Sequence, residues 1–274
     1  MTASTSPRRG PRFASAFAAC AVMALLAGCA HPQGDDTPEG LADLPDKGDA
    51  LLHIAGAMVG TGDYAGAISL YRKALDHGAD KMQAHLGIAE ASVALDQPDE
   101  AESECKMAQA YAAGRPDPML CFGRIAMERR HPEEALADYQ VAETGGIKSA
   151  LLYNDKGVAY DMLGRHADAQ AAYRAGMALA PDDSTLRGNY GLSLAITGKR
   201  EEALRLLLPL AVGSGATPRA RQNVAFVYGL AGDEARARAF MAPDLDATTI
   251  DNNLKFYERA RDASAAVPSE ETVR

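Results

Sequence analysis

Small and large apolar residues recur along this chain with a fixed period of 34 residues. The most regular column consists of alanines, namely Ala67, Ala101, Ala135, Ala169, Ala203 and Ala237. Twelve residues before each of them stands a second small residue, in the series Ala55, Ala89, Gly123, Gly157, Gly191 and Ala225. Four residues after each alanine comes a large side chain or a cysteine: Tyr71, Cys105, Tyr139, Tyr173, Leu207 and Met241. Self-similarity at one period of this length indicates a repeat architecture.

Each repeat predicts two helices joined by a short turn. Five residues before each alanine of the first column lies a helix breaker or turn residue: Gly62, Asp96, Arg130, Gly164, Gly198 and Gly232. The six units run over 48–81, 82–115, 116–149, 150–183, 184–217 and 218–246. We expect the small residues where paired helices cross, because backbones can approach closely there, and the large ones in the space between units.

Two positions depart from the pattern. Lys156 occupies a column that is otherwise apolar or aromatic, and we expect its stem to pack while its amine reaches solvent. Pro209 falls inside the second helix of the fifth unit, where a proline is expected to kink the helix. The glycine-rich link at 213–215 follows. The junction between the fifth and sixth units is therefore the predicted hinge.

The array ends in a predicted capping helix over residues 247–262. Asp246 is a suitable N-cap, and Ile250, Leu254 and Tyr257 fall along one stripe of that helix. A solenoid needs a terminal cap with a polar outer face. Residues 263–274 are expected to fray.

The first 28 residues predict an export signal. Three arginines precede an apolar run over 13–26, and small residues then lead to Cys29. The sequence Leu26-Ala27-Gly28-Cys29 resembles the bacterial lipoprotein box, in which the cysteine thiol is diacylated and becomes the new N-terminus. There are two alternatives: an ordinary signal peptide in which Cys29 is an incidental thiol, and a twin-arginine signal.

Residues 29–47 then form an acylated cysteine and a polar, breaker-rich tether. Ala30, which follows the cysteine, resembles the sorting pattern of enteric lipoproteins directed to the outer membrane. The expected location is the periplasmic face of the bacterial outer membrane, with the lipid as anchor.

Composition narrows the function classes. Hydrophobic residues make up 47% of the chain and charged residues 24%, as in folded proteins. The formal net charge of −9 disfavours nucleic-acid binding, because each phosphate contact needs a Lys or Arg. The apolar run at 13–26 is shorter than the roughly 20 residues of a spanning helix, which argues against a polytopic membrane protein.

Catalytic and cofactor motifs are not found. The Gly198-Lys199 pair lacks the spacing and the Ser/Thr of a phosphate loop, and the glycines at 60–66 follow a predicted helix, where a dinucleotide fingerprint follows a strand. The six histidines show no metal-ligand spacing. We therefore predict no enzyme activity, no metal, no cofactor and no small-molecule substrate.

Cys105 and Cys121 fall on helices that the repeat makes neighbours. An exported protein is in a compartment that permits disulfides, so the two thiols either form a bridge or pack as small apolar side chains. Counting the free thiols of the denatured protein distinguishes the two.

The 34-residue period and its columns resemble the tetratricopeptide repeat. The best individual matches are residues 63–71 and 153–160, and Pro181 stands where a proline often closes this repeat. The resemblance implies an all-α fold, a right-handed α-solenoid of about six tetratricopeptide repeats with a C-terminal capping helix.

The resemblance also implies a concave groove lined by the first helices, which binds protein segments. Its expected lining is Leu52, Val59, Leu86, Glu90, Val93, Leu120, Arg124, Met127, Asn154, Val158, Asp161, Leu192, Ile196, Gln222 and Phe226. Because this stripe is mainly apolar, a helical or extended apolar segment is the expected ligand. The alternative is that part of it packs within the chain, for example against the capping helix.

The C-terminal third resembles the TadD family of outer-membrane lipoproteins, which act in the tight-adherence (Flp, type IVc) pilus machine. The segments that carry the likeness are 207–211, 216–225, 229–233, 244–246 and 252–257. The resemblance implies a pilotin-like scaffold whose partners are the pilus secretin and other assembly proteins. The alternative is an envelope adaptor that docks peptidoglycan hydrolases or another secretion-system component.

Overall fold

The computed structural model describes residues 47–266, with the side chains of 47–262. This part of the chain contains helices and no strand. The helices are α1 (Lys47–Thr61), α2 (Tyr64–Asp76), α3 (Lys81–Ala94), α4 (Pro98–Tyr111), α5 (Asp117–Glu128), α6 (Pro132–Thr144), α7 (Ala150–Met162), α8 (His166–Leu179), α9 (Ser184–Ile196), α10 (Arg200–Ala211), α11 (Pro218–Leu230), α12 (Glu234–Met241) and α13 (Ala247–Ala266). The signal sequence, Cys29, the tether up to residue 46 and residues 267–274 lie outside the described residues.

Consecutive helices pair as six hairpins, α1–α2 through α11–α12, followed by α13. The hairpins begin at residues 47, 81, 117, 150, 184 and 218, against predicted unit starts of 48, 82, 116, 150, 184 and 218. Every hairpin turns at its predicted turn residue, which adopts a positive φ of 59° to 86° in all six. Glycine adopts this conformation without steric cost. Asp96 and Arg130 adopt it as well, although their side chains make it less favourable.

Side-chain caps fix where many helices begin. The first turns of α2, α3, α7, α9, α11 and α12 donate a backbone N–H to the side chain of the preceding residue, respectively Asp63, Asp80, Ser149, Asp183, Thr217 and Asp233. Helices α4, α5 and α6 instead begin with proline in the first turn, whose missing N–H needs no partner there. The starts of these nine helices are therefore encoded locally.

The hairpins stack into a solenoid with one inner layer of helices. Each odd-numbered helix contacts the next odd-numbered one, from α1–α3 through α11–α13, while the described second helices make no comparable contact with one another. Close approach on one side and separation on the other curve the array, so the first helices line its concave face. The fold class predicted from the sequence, an all-α solenoid of six repeats with a C-terminal helix, is confirmed.

The core is a series of bulky side chains set against small residues. A Cβ at Gly123 would lie less than 3.0 Å from three ring atoms of Tyr139, and the same holds for Gly157 and Tyr173. Both tyrosines are almost fully buried. The periodic alanines of the first column are 0% exposed in all six hairpins. In the third and fourth hairpins, close contact between a glycine and a tyrosine ring thus joins the two helices.

Lys156 corrects one expectation. The residue is only 7% exposed, and its amine is ion-paired with Glu143 on α6 of the preceding hairpin. Nζ also donates to the side-chain oxygen of Gln140 at 3.4 Å. The ammonium therefore does not extend to solvent, because a carboxylate on the neighbouring hairpin lies within its reach.

Removing that carboxylate is expected to destabilise the array. Glu143→Gln leaves the ammonium of Lys156 buried without a counter-ion, which costs about 2 kcal/mol. Lys156→Met leaves only a partly exposed carboxylate and fills the same space, so the expected loss is within about 1 kcal/mol. Urea unfolding followed by circular dichroism measures both variants. Equal losses would show that the pair contributes only packing.

The same ion pair predicts an acid-dependent loss of stability. The hydrogen bond from Lys156 holds the pKa of Glu143 below its ordinary value of 4.5. The contribution of the pair is therefore complete above the pKa of the unfolded chain, and it is lost as the pH falls through the lower folded pKa. In Glu143→Gln this component of the acid transition should be absent.

The C-terminal helix occupies the place of a seventh first helix. Ile250, Leu254 and Tyr257 are buried, as the predicted stripe requires, and α13 contacts α11 and α12. The helix runs to Ala266, four residues beyond its predicted end. A bidentate ion pair, with distances of 2.5 and 2.6 Å, joins Arg221 on α11 to Asp244, which lies in the turn before α13. This pair fixes the direction from which α13 returns to the array.

Helix α10 continues through Pro209 to Ala211, so the proline lies in its last turn. A proline in the last turn interrupts fewer helical hydrogen bonds than one in the middle.

Among the described residues, no helix combines the length and the hydropathy that a membrane-spanning helix needs.

Candidate functional site

A groove of about 880 Å³ runs across the first four hairpins on the concave face. Its walls come from the first helices α1, α3, α5 and α7. Three tyrosines of the second helices, Tyr64, Tyr71 and Tyr139, also line it. We call this surface the N-terminal groove. Such a volume accommodates several side chains of a bound segment.

Eight of the fifteen sequence-predicted groove residues line the N-terminal groove: Val59, Leu86, Glu90, Val93, Leu120, Arg124, Met127 and Val158. The other seven lie elsewhere in the array: Leu52, Asn154, Asp161, Leu192, Ile196, Gln222 and Phe226. Six aliphatic or thioether side chains among the eight give the groove apolar walls. The predicted residues that line this groove therefore all come from the first four hairpins.

Several of these seven residues are engaged within the chain. Leu52 is 9% exposed and belongs to the core of the first hairpins. Asn154 accepts a hydrogen bond from Asn189 at 2.9 Å. The ring of Phe226 packs edge-on against Tyr257 of α13, with centroids 5.5 Å apart. Helix α13 thus packs against the last hairpin, and it contributes no residue to the lining of the N-terminal groove.

Arg124 is the central polar group of the groove. Its Nε donates to Asp155 at 3.0 Å and its Nη1 donates to Glu90 at 3.4 Å. Burial lowers the pKa of Arg124, but Asp155 and Glu90 outweigh it, so the pKa is raised above its ordinary value. The guanidinium is therefore held as a cation between two carboxylates.

Tyr139 forms part of the groove wall although its residue is fully buried. Its hydroxyl has no hydrogen-bond partner among the described residues. Burial raises the pKa of Tyr139, so the phenol stays protonated. The equivalent Tyr173, one hairpin later, does have a partner, since it donates to Asp161 at 3.1 Å.

This difference predicts opposite responses to the same substitution. Tyr139→Phe removes an unsatisfied buried hydroxyl and should be neutral or stabilising by up to about 1 kcal/mol. Tyr173→Phe removes a hydrogen bond to a carboxylate and should cost about 1 kcal/mol. Chemical denaturation of both variants measures the difference. A loss for Tyr139→Phe as large as that for Tyr173→Phe would mean that the Tyr139 hydroxyl is bonded in solution.

Asp161 lies at the centre of a polar network. Its Oδ1 is 2.8 Å from His166 Nδ1 and accepts from Ser193 Oγ at 2.9 Å, while its Oδ2 accepts from Tyr173. The serine hydroxyl is directed to the carboxylate, and a nucleophilic serine would instead need its hydrogen bond to a histidine. The network joins α7, α8 and α9, and we assign it a structural role.

Cys105 and Cys121 form a disulfide between α4 and α5, with their Cα atoms 5.9 Å apart. Of the two alternatives raised by the sequence, the structure contains the bridge. Cys121 also lines the N-terminal groove. The bond therefore joins the second hairpin to the third directly beside the groove.

A smaller cavity of about 590 Å³ lies at the link between α10 and α11. It is lined by the starts of α9 and α11 and by the chain around Gly213. No group of three His, Cys, Asp or Glu residues in the described part of the chain is arranged to hold a metal ion. The N-terminal groove is thus the best-developed candidate site.

Part of the groove does not follow from the sequence pattern. The repeat places Tyr71 and Tyr139 in the core column and predicts no site for Asp155 or Glu128, yet all four line the groove. A signal for Glu128 exists, because it follows Arg124 by four residues and hence lies on the same helix face. The tyrosines give no such signal, since their column is buried in every hairpin.

Comparison with known proteins identifies the repeat. A family model described as tetratricopeptide repeat matches residues 58–120. No curated protein matches the chain. A chain of the APC/C hetero-tetramer Cut9–Hcn1 shares the fold with a TM-score of 0.67 and 16% identity, over 81% of this chain and 44% of that one. The present chain therefore spans less than half of that protein.

Two pilus proteins have a similar fold. PilF of Pseudomonas aeruginosa aligns with a TM-score of 0.55 and 18% identity, over 70% of this chain and 88% of its own. PilW, described as a widely conserved type IV pilus biogenesis factor, aligns with a TM-score of 0.59 and 16% identity, over 72% and 91%. At these identities the likeness establishes the fold, a tetratricopeptide-repeat α-solenoid. Such repeats are generally non-enzymatic scaffolds that bind protein partners.

Proposed function

We propose that this tetratricopeptide-repeat solenoid is a non-enzymatic lipoprotein scaffold for assembly of a tight-adherence (Flp) pilus. In this proposal Cys29 carries the lipid that anchors the chain at the periplasmic face of the outer membrane. The chain acts as a pilotin-like factor that helps to localise the pilus secretin. The N-terminal groove holds a segment of the secretin or of another assembly protein.

The observation that carries the proposal is the open, mainly apolar groove in an array whose described part presents no catalytic constellation. Six apolar side chains, including Val93, Leu120 and Met127, line a concavity that α13 leaves uncovered. A contiguous apolar surface that is exposed to solvent is typical of a site where a partner protein binds. A scaffold that binds one segment at a time fits such a surface.

The likeness of the C-terminal third to TadD lipoproteins and the pilus names of two structural neighbours support the choice of partner. PilW is described as a type IV pilus biogenesis factor, and PilF shares the fold over most of its length. The lipoprotein box at Leu26-Ala27-Gly28-Cys29 supports the location.

The test is a pull-down from detergent-solubilised envelopes with the tagged full-length protein as bait. Mass spectrometry of the retained proteins is expected to recover a secretin and other pilus-assembly proteins. Leu120→Glu places a charge in the apolar wall and should abolish this recovery. Leu179→Glu introduces the same charge at a residue that is 54% exposed outside the groove, and it should leave recovery unchanged.

Two further results separate the parts of the proposal. Cys29→Ala should release the protein from the membrane fraction without affecting binding in detergent. Recovery of peptidoglycan hydrolases without pilus components would support the envelope-adaptor function instead. Equal recovery with Leu120→Glu and the wild type would exclude the N-terminal groove as the docking surface.

A further inference from the structure

Acidic residues outnumber basic residues in the lining of the N-terminal groove. Four carboxylates line it, on Glu90, Asp117, Glu128 and Asp155, and Arg124 is the one cation among the lining residues. Asp117 is paired with Arg115 at 3.1 Å, outside the lining. The groove therefore retains an excess of negative charge after its internal pairs are formed.

The excess is concentrated on two side chains that flank Arg124. Glu90 on α3 touches Arg124 at the long distance of 3.4 Å, and its side chain is 52% exposed. Glu128 follows Arg124 by one helical turn, is exposed, and forms no ion pair within the described part of the chain. Asp155 is held more closely, at 3.0 Å from Arg124, with a side chain that is 16% exposed.

Arg124 itself is poorly placed to bind an anion. Its side chain is only 27% exposed and already donates to two carboxylates. An incoming carboxylate would have to displace Asp155 and would then face Glu90 and Glu128. Like charges in such a confined site repel each other strongly. A cation, in contrast, meets two carboxylates whose coordination is incomplete.

We propose that the N-terminal groove selects a partner segment in which a lysine or arginine is flanked by apolar residues. The cation lies between Glu90 and Glu128, and the apolar neighbours pack on the apolar walls of the groove. Val59, Leu86 and Val93 line the groove from α1 and α3, and Leu120, Met127 and Val158 line it from α5 and α7. This inference rests on the groove being a docking site, as proposed above, and adds the chemistry of its ligand.

The experiment is a selection of random peptides displayed on phage, with the purified full-length protein in detergent as the target. Pools are sequenced after selection on the wild type, on Leu120→Glu and on Glu90→Gln/Glu128→Gln. Glu201→Gln/Glu202→Gln is the matched control, because it removes the same charge from two adjacent exposed glutamates at the start of α10. This control accounts for general attraction of basic peptides to an acidic protein.

The wild-type pool is expected to be enriched in apolar peptides with a central Lys or Arg. A synthetic copy of the most enriched peptide should bind Glu90→Gln/Glu128→Gln about fivefold more weakly, and added salt should weaken wild-type binding. The control variant should bind within about twofold of the wild type.

Two other outcomes would overturn the inference. They differ in whether the groove would still be a peptide-binding site. Enrichment of neutral or acidic peptides, or equal binding by Glu90→Gln/Glu128→Gln and the wild type, would refute the charge selection and leave the docking site intact. No enrichment over the Leu120→Glu pool would refute both the charge selection and the groove as a peptide-binding site.

Discussion

Gly157→Val is expected to destabilise the array by about 3 kcal/mol, near the upper end of overpacking penalties. A Cβ at this position would already lie less than 3.0 Å from three ring atoms of Tyr173. The ring is 1% exposed and its hydroxyl is bonded to Asp161, so it cannot turn aside without breaking that bond. Helices α7 and α8 must therefore separate.

The position of the clash in the array matters as much as its size. In a solenoid each hairpin contacts only its neighbours, so a defect in the fourth hairpin uncouples three hairpins from two. Gly229→Val is the matched comparison, because a Cβ there would come equally close to the ring of Tyr257 on α13. That clash lies at the end of the array and should detach α13 alone.

Hydrogen exchange and urea unfolding distinguish the two variants. Gly157→Val should lower the protection of α5 through α10 and broaden the unfolding transition, since the halves then unfold separately. Gly229→Val should lower the protection of α13 and of its contacts on α11 and α12. A second substitution, Tyr173→Ala, should recover part of the loss in Gly157→Val, because it removes the obstructing ring. Additive losses would show that the contact with Tyr173 is not the cause.

The sequence predicts the fold well because the information is local and repeated. The turn column adopts positive φ in all six hairpins, and the alanine column is fully buried in all six. The columns of small and large residues recur in every unit, so a position that is misassigned in one unit can be corrected by comparison with the other units. Lys156 is the exception, and the period does not reveal its partner Glu143 because that residue lies on the neighbouring hairpin, thirteen residues earlier.

The groove is predicted less completely, for a physical reason. Repeat columns show which face of a helix points inward, but the concave surface depends on how neighbouring hairpins turn against each other. Asn154 and Asp161 share the register of the groove residues and are nevertheless bonded to α9. Phe226 is covered because α13 packs beside α11. These contacts arise between units, where the periodic pattern carries no information.

The disulfide strengthens a junction that carries the groove. Its ends are 16 residues apart in sequence and join α4 to α5. The walls of the groove at this junction come from α3 and α5, which belong to the two hairpins that the bond connects. A shift of α5 against α3 would change the separation of Leu120 from Leu86. The bond therefore constrains both the stability of the array and the shape of the site.

Reducing this bond is expected to cost about 3 kcal/mol, the loop-closure contribution for a loop of this length. Urea unfolding with and without reductant measures it, and Cys105→Ala/Cys121→Ala should unfold at the same urea concentration whether or not reductant is present. The denatured, unreduced chain should show no reactive thiol from these two cysteines, whereas two reactive thiols would show that the bridge does not form in solution. Because Cys121 lies in the groove wall, the peptide selected on the oxidised protein should also bind the reduced protein more weakly. If reduction lowered stability but left that affinity unchanged, the bond would support the array without shaping its site.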